Sequence, residues 1–272
     1  MSLYFGMEKY RKYLVKEGLA GNTVESYVWT ARQFLNTYGK PTMRSVLLYK
    51  ESLTARYRPQ TINLRLIALG KYLEYLGLPD MKPRVIRIAR KNFIENVISD
   101  ADYRYFKTKL KKDGHTSWYF VVWFLAATGA RVSELRQIKA EDVHQGYLDI
   151  YSKGGKLRRL YIPKRLRTEA IGWLSARGMT SGYIFINRFG EVLTTRGIAQ
   201  QLKRYARRYG ICADVVYPHS FRHLFARNFL DRRKDIAMLA DLMGHESIET
   251  TRIYLRRTAC EQQRVVDGIV DW

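Results

Sequence analysis

The chain has 272 residues, 46% of them hydrophobic, and this length is typical of two domains that each bury a core. Lys and Arg outnumber Asp and Glu by 48 to 25, so the formal net charge is +23, and a surplus of this size indicates a polyanionic partner. The sequence lacks an apolar run of about 18 residues, which excludes a membrane span. It also lacks a clear basic amphipathic helix or lysine-rich tail, which argues against a membrane surface as that partner.

The N-terminus and the cysteines indicate the cellular compartment. Charged residues interrupt the first residues, so no secretory signal peptide is predicted. The two cysteines, Cys212 and Cys260, do not have the spacing of a metal site, and they fit plain thiols in a reducing compartment. We therefore expect a cytoplasmic protein.

Residues 1–80 are predicted to form an independent helical bundle. Apolar residues recur there at helical spacing, and glycine or proline interrupts the pattern between segments. The predicted helices cover residues 4–17, 22–38 with Asn22 as the N-cap, 42–54 and 61–76. Four short helices in about 80 residues are typical of a small bundle.

Residues 81–98 are predicted to be a basic linker. Pro79 and Pro83 favour extended backbone, and basic side chains crowd between them and the second domain. The candidate DNA contacts in this segment are Lys82, Arg84, Arg87, Arg90 and Lys91. The pattern fits a strap that follows DNA and a solvated connector equally well.

Residues 99–272 are predicted to form a second domain that is mainly α with a small antiparallel β-sheet. Ser99 is the expected N-cap of its first helix, and residues 116–128 read as a buried apolar helix. Strands are expected at 147–151, 159–162 and 183–186, the first two joined by a Lys-Gly-Gly-Lys turn. Further helices are predicted at residues 164–176, 194–209, 219–230, 235–243, 247–256 and, as a C-terminal tail, 258–269.

Two basic features of this domain are candidate DNA contacts. Lys156 lies in the hairpin turn, which can reach into a DNA groove or can simply be solvated. The helix 194–209 carries Lys203, Arg204 and Arg207, a face that fits either DNA or solvent.

Charged and titratable side chains form one constellation with phosphodiester chemistry. The residues concerned are Arg131, His219, Arg222, His223, His245 and Tyr254. A tyrosine hydroxyl attacks a phosphodiester when cations neutralise the charge that grows on the phosphorus oxygens. Arginine suits that task because its planar fork meets two phosphate oxygens, and histidine moves protons near neutral pH. Each of these residues taken alone is compatible with a structural role, and the joint pattern carries the interpretation.

The order of these motifs resembles the tyrosine recombinase (phage integrase) family, in the minimal two-domain form of the Xer recombinases. The matching segments are Ala-Thr-Gly-Ala-Arg131-Val-Ser-Glu-Leu, Ser-Lys153-Gly-Gly-Lys156, His219-Ser-Phe-Arg222-His223, Leu-Met-Gly-His245 and Tyr254. The resemblance covers nearly the whole chain. It implies a helical core-binding domain followed by a catalytic domain.

The resemblance also implies a role for each matching residue. Tyr254 is the expected nucleophile that forms a 3′-phosphotyrosyl link, and Arg131 and Arg222 are expected to clamp the scissile phosphate. Lys153 is the expected general acid, preferred over Lys156 because it directly precedes the glycine turn. His219 is expected to assist proton transfer from the tyrosine and His245 to hydrogen-bond the phosphate, whereas His223 is interpreted as structural.

The partners implied by the resemblance are double-stranded DNA with paired inverted-repeat sites and further copies of the chain. A tetramer on DNA is expected, with residues 258–272 docking into the neighbouring copy, although the same apolar tail fits packing on its own domain as well. Association with the nucleoid follows from DNA as the partner. The covalent link conserves the energy of the phosphodiester, so no ATP, metal or other cofactor is expected.

Three rival interpretations remain open at this stage. A type IB topoisomerase uses nearly the same side chains to relax DNA without exchanging partners. A non-catalytic DNA-binding protein would need the positive charge alone. A metal site at His219, His223 and His245 is the third, but it lacks the Glu that follows the first His in a zinc protease helix.

Overall fold

The computed structural model of the chain describes residues 3–88, 96–151, 157–255, 263 and 266–270. The chain divides into two compact units, Met1–Arg90 and Lys91–Trp272. The described residues are mainly helical with one two-stranded antiparallel sheet, which confirms the predicted fold class. None of the helices in these ranges has the length and hydropathy needed to cross a bilayer.

Within residues 3–88, the first unit consists of four helices and a short 3-10 turn. Their bounds are α1 Leu3–Lys16, α2 Gly21–Tyr38, α3 Met43–Arg56, α4 Pro59–Tyr75 and the turn Pro79–Met81. The prediction that Asn22 caps the second helix is wrong, because the helix already begins at Gly21 and Ala20 holds the cap position without a side-chain hydrogen bond. Thr42 does cap α3, in a reciprocal arrangement with Ser45.

Aromatic side chains fill much of the core of the first unit. The Tyr10 ring is fully buried, with its centroid 4.9 Å from that of Tyr72 and 5.2 Å from that of Tyr75. Phe34 packs edge-on against Tyr49 at 5.4 Å. Aromatic contacts of this kind stabilise the fold beyond the burial of apolar surface alone. The bundle therefore has a well-packed apolar core of its own.

Residues 82–88 are held against the helices of the first unit by hydrogen bonds and an ion pair. The Asn63 amide donates to the carbonyl of Ile86 at 2.9 Å and accepts from its N–H at 2.8 Å, as a neighbouring strand would. The Lys50 ammonium donates to the carbonyl of Arg84 at 2.9 Å, and Lys82 pairs with Glu74. The first part of the predicted linker is therefore an ordered strap. Its Arg84 and Arg87 side chains are exposed, whereas Arg90 and Lys91 lie outside the described residues.

Over its described residues, the second unit consists of short and medium helices around one pair of antiparallel strands. The bounds are α5 Asp100–Lys112, α6 Thr116–Thr128, α7 Val132–Leu135, α8 Ala140–Gln145, β1 Tyr147–Tyr151, β2 Leu157–Tyr161, α9 Lys164–Ser175, α10 Thr195–Arg208, α11 Pro218–Arg232, α12 Ile236–Met243, α13 Ile248–Arg252 and the 3-10 turn Ile253–Leu255. Ser99 caps α5 as predicted, since its hydroxyl accepts from the Asp102 N–H at 3.0 Å.

One prediction for this unit is wrong, one helix was missed, and one prediction falls mostly outside the described residues. Residues 183–186 do not form a third strand, because only isolated bridges join Tyr183 to Lys139 and Ile186 to Val192. Helix α8 was not predicted. The predicted tail helix falls mostly on residues outside the described ranges, although residues 263 and 266–269 are helical.

Helix α6 is the apolar centre of the second unit. It is buried on nearly all sides, as its composition predicts, and it packs against α5, α9 and α11. The helix ends at Gly129, which adopts a left-handed conformation with φ of 64°. This turn directs the chain into Arg131 at the start of α7 and brings that residue beside α11 and α12.

We predict that Gly129→Ala destabilises the protein by about 3 kcal/mol. A methyl group there would lie 2.5 Å from Cδ1 of Phe225, in addition to the strain of a positive φ. Gly178→Ala is the matched control because Gly178 has φ of 63° in open space, and this variant should lose only about 1 kcal/mol. Urea denaturation of both variants checks the difference, and equal losses would contradict the proposed contact with Phe225.

Candidate active site

Arg131 occupies the N-cap position of α7 and is oriented by Glu134. The Arg131 backbone N–H donates to Glu134 Oε2 at 2.7 Å, and its Nη1 donates to Oε1 at 2.8 Å. Nη2 donates to the carbonyl oxygen of Gly244 at 3.3 Å. The Arg131 side chain is 44% exposed, so its guanidinium is fixed in direction and open to an anion from solvent.

Arg222 is the deeply buried cation of the site, with 1% of its surface exposed. Its Nη1 donates to the carbonyl oxygen of Gly129 at 2.5 Å, and its Nη2 donates to that of Met243 at 2.6 Å. Burial, followed by the charge of Arg131, lowers the pKa of Arg222 to about 10. The group remains a cation at neutral pH and needs no carboxylate in direct contact.

His245 is held as a neutral ring between Arg222 and Thr251. Arg222 Nη2 lies 3.0 Å from Nε2, and because a guanidinium can only donate, Nε2 is the acceptor and Nδ1 carries the proton. That N–H lies 2.8 Å from the hydroxyl oxygen of buried Thr251. Burial, then the charges of Arg222 and Arg131, lowers the pKa of His245 from 6.5 to about 4.

Tyr254 lies in the same pocket with only 5% of its surface exposed. Its ring is parallel to that of His245 at 6.1 Å and tilted against that of His223 at 5.0 Å. Aliphatic side chains of α11 and α12, among them Leu230 and Met243, cover it. Burial raises the pKa of the Tyr254 hydroxyl, and the charge and hydrogen bonding of Arg222 oppose that rise.

His219 and His223 lie one turn apart on α11 with ring centroids 4.7 Å apart. His219 is exposed at the surface. Its pKa is lowered, first by partial desolvation and then by the positive charges of Arg222 and Arg131. The His223 ring contacts those of both His219 and Tyr254, and burial lowers the pKa of His223 to about 4. Among the described residues its Nδ1 is buried without a hydrogen-bond partner, so the ring is neutral at physiological pH.

The structure thus brings together five of the six predicted catalytic residues, Arg131, His219, Arg222, His245 and Tyr254. Lys153 and Lys156 lie outside the described residues. The basic residues of α10 are on its outer side: Arg204 and Arg207 are exposed and Lys203 is half-buried, while Leu202 and Tyr205 face the core.

Two residues in contact with this group were not predicted. Arg158 of β2 donates from Nη2 to Glu134 Oε2 at 2.7 Å and from Nη1 to the carbonyl of Met243. Strand alternation could have identified it, because residues two apart share a face and Leu160 is buried. Thr251, the partner of His245, has no comparable signal in the sequence.

A metal site at the three histidines is not supported by the geometry. Over the part of the chain that the structure describes, no group of three or more His, Cys, Asp or Glu side chains is arranged to hold a metal ion. The nitrogen atoms of His245 already face Arg222 and Thr251, so they are not directed at a shared ligand.

Comparison with known proteins identifies the class. The phage integrase family matches residues 96–261. Tyrosine recombinase XerA of Pyrococcus furiosus is 33% identical over 273 residues, covering 96% of this chain and 92% of the relative. XerA of Pyrococcus horikoshii is 29% identical over 286 residues, covering 97% and 95%. The chain therefore belongs to the phage integrase family, the tyrosine recombinases, and is an enzyme of site-specific DNA recombination.

Solved structures agree in fold. The crystal structure of XerA recombinase superposes with a TM-score of 0.55 at 22% identity, covering 98% of this chain and 99% of the other. The Tn1549 transposon integrase in complex with transposon right-end DNA gives a TM-score of 0.72 at 15% identity, covering 97% and 98%. The relatives are recombinases and integrases, so the topoisomerase and non-catalytic interpretations are not favoured.

We predict that His245 makes the folded state sensitive to mild acid. Its pKa is lowered from 6.5 to about 4, so between these values the folded protein binds fewer protons than the unfolded chain. The stability associated with the neutral ring is fully present above pH 6.5 and decreases as the pH falls toward 4. His245→Gln should therefore lose less stability over this window, by an amount on the order of 1–3 kcal/mol. Urea denaturation at several pH values tests this, and parallel pH profiles of parent and variant would contradict it.

Proposed function

We propose that this recombinase cuts and rejoins double-stranded DNA through a 3′-phosphotyrosyl intermediate at Tyr254. The observation that carries the proposal is the convergence of Tyr254, Arg222, His245 and Arg131 on one pocket. A phenol, two arginines from separate helices and a neutral imidazole in one pocket suit attack on a phosphodiester, in which negative charge grows on the phosphorus oxygens.

Arg131 and Arg222 are proposed to clamp the scissile phosphate from two sides. Arg131 is partly exposed and held in direction by Glu134, which supports a role in capturing the phosphate. Arg222 is buried and held by backbone carbonyls, which supports a role as a preorganised charge that costs no reorganisation during the reaction. His245 contacts Arg222, and this supports a role at the same phosphate.

Proton transfer is proposed to run through His219 and Lys153. The pKa of Tyr254 is raised, so its hydroxyl is protonated at neutral pH and needs an acceptor when its oxygen bonds to phosphorus. His219 has a lowered pKa and is therefore a neutral acceptor. As the bond from phosphorus to the 5′ oxygen breaks, Lys153 supplies the proton that leaves a free 5′ hydroxyl.

DNA contacts are proposed along the strap and on α10. Arg84 and Arg87 are exposed on the strap, and Arg204 and Arg207 are exposed on α10, while Arg90, Lys91, Lys156, Lys82 and Lys203 complete the proposed set. Lys82 is already paired with Glu74, so it should contribute less than its neighbours. The overall charge of +23 supports a long phosphate interface, and DNA as substrate supports a cytoplasmic location at the nucleoid.

Paired inverted-repeat sites and a tetramer complete the proposal. Solved relatives include a lambda integrase dimer bound to a core site and XerH bound to its difH substrate. We propose that this chain likewise occupies paired sites and that residues 258–272 join neighbouring copies.

The parent protein is predicted to form a covalent adduct with a nicked DNA duplex, and Tyr254→Phe is predicted to form none. Phenylalanine keeps the ring and its packing but lacks the attacking oxygen. The adduct is detected as a protein–DNA band that survives denaturation. Adduct formation by Tyr254→Phe would remove Tyr254 from its proposed role.

Mixing two distinguishable duplexes separates strand exchange from simple relaxation. The proposed recombinase yields products that join one duplex to the other. Adducts with relaxation of supercoiled DNA, and without exchanged products, would instead support topoisomerase activity.

Removal of residues 258–272 is predicted to abolish assembly on paired sites while binding to a single half-site is retained. The reason is that the tail is proposed to contact the next copy rather than DNA. Native mass spectrometry of the complexes gives the stoichiometry, and an intact four-copy complex from the truncated chain would contradict the proposed tail exchange.

A further inference from the structure

Arg158 contacts a partner of each proposed clamp residue. Its Nη2 donates to Glu134 Oε2 at 2.7 Å, while Arg131 donates to the other oxygen of the same carboxylate at 2.8 Å. Its Nη1 donates to the carbonyl oxygen of Met243, which also accepts from Arg222 at 2.6 Å. The side chain is 8% exposed, so these contacts are largely shielded from water.

We propose that Arg158 is a positioning residue of the recombination reaction, which fixes Arg131 through Glu134 and Arg222 through the carbonyl oxygen of Met243. The inference rests on the proposed function, in which Arg131 and Arg222 hold the scissile phosphate. Arg158 itself is not proposed to contact DNA.

The charge of Glu134 explains why a second cation is needed. This carboxylate side chain is 6% exposed, and a buried charge is costly unless it is fully paired. With Arg131 as its sole cation, Glu134 would draw that guanidinium into a tight pair and compete with an incoming phosphate. Arg158 shares the carboxylate, so Arg131 keeps Nη2 directed at Gly244 and toward the open side of the site.

The end of α12 explains the second contact. The last carbonyl groups of a helix lack partners within the helix and carry the negative end of its dipole. Met243 is the last residue of α12, and its carbonyl oxygen receives both Arg158 and Arg222. Arg158 and Arg222 therefore share one carbonyl acceptor. Removal of either side chain changes the balance of forces on the other and shifts its preferred position.

The backbone after α12 is shaped around the Arg158 side chain. Gly244 has φ of 62°, and a Cβ atom there would lie 2.4 Å from Cδ of Arg158. His245 follows immediately, so the turn that accommodates Arg158 also sets the position of the imidazole. Arg158 thereby joins β2, which directly follows the segment with Lys153 and Lys156 in sequence, to the segment that carries His245.

The test measures the rate of covalent adduct formation and the affinity for DNA in parallel. Arg158→Met keeps most of the buried aliphatic stem but removes both contacts. We expect its adduct rate to fall roughly 10–100-fold because the clamp residues are misplaced, with the dissociation constant for DNA within about twofold of the parent value. Equal rates in Arg158→Met and the parent would overturn the inference.

Arg159→Met is the matched control on the same strand. Arg159 points to the opposite face and pairs with Asp149 through two contacts of 2.8 Å. The Arg159→Met variant removes one positive charge from the position next to Arg158, and its adduct rate should remain within about threefold of the parent rate. An equal loss in both variants would show that general charge rather than position is responsible, and this would overturn the inference.

A double variant separates positioning from a merely structural role. If Arg158 acts on Arg131 through Glu134, Arg158→Met should cost a smaller factor in adduct rate when it is made in a Glu134→Gln background, because that route is already lost there. A merely structural role predicts the same fold-loss in both backgrounds, and that result would overturn the inference. Arg158→Lys provides a gentler variant and should retain an intermediate rate, because a single ammonium can make one of the two contacts.

The adduct assay distinguishes a failure of the proposed function from a failure of the inference about Arg158. Absence of a Tyr254-dependent adduct in the parent chain contradicts the proposed function, and the inference falls with it. A Tyr254-dependent adduct whose rate does not depend on Arg158 contradicts the inference alone.

Discussion

The site depends on the accommodation of three guanidinium groups beside one carboxylate. Arg131 and Arg158 share Glu134, whereas Arg222 donates to the backbone carbonyl oxygens of Gly129 and Met243. Guanidinium groups that share neighbouring acceptors in a buried site repel one another strongly. The compensation comes from backbone carbonyl oxygens, above all that of Met243 at the end of α12, so the protein assembles a strongly positive pocket without neutralising it. A pocket of this kind retains its attraction for a phosphate.

Glycine at two helix ends makes this arrangement sterically accessible. Gly129 ends α6 and Gly244 ends α12, both with positive φ, and the carbonyl oxygens of these two turns accept Arg222 and Arg131. A Cβ atom at Gly244 would collide with Arg158, and one at Gly129 would collide with Phe225. The same two residues thus end helices, permit close packing and supply carbonyl acceptors for the two arginines that we propose hold the phosphate.

Motif spacing predicted the residues with specific chemistry, and strand or helix periodicity predicted most elements. Arg222, His245 and Tyr254 are recognisable because their side chains suit phosphodiester chemistry and because their order along the chain resembles that of the tyrosine recombinase family. Arg158 had a readable signal in the alternation of β2, although the predicted strand began two residues too late to include it. Thr251 had none, since it becomes a partner of His245 only through tertiary packing. The failed strand at 183–186 has the local composition of a strand but finds only isolated bridges, and pairing is a property of the fold rather than of the segment.

The protonation states of the pocket follow first from burial, while the excess of positive charge adds to the effect of burial at His245 and opposes it at Tyr254. Burial and nearby guanidinium groups hold His245 and His223 neutral, with each pKa near 4, while burial keeps the Tyr254 hydroxyl protonated. A bound phosphodiester would bring the negative charge that the free site lacks, and it would relieve the repulsion among the arginines. Binding energy at the phosphate would then also stabilise the folded arrangement of the pocket, because a ligand that binds only the native state shifts the unfolding equilibrium toward it. Substrate binding and assembly of the proposed catalytic arrangement would then be thermodynamically coupled through the same three arginines.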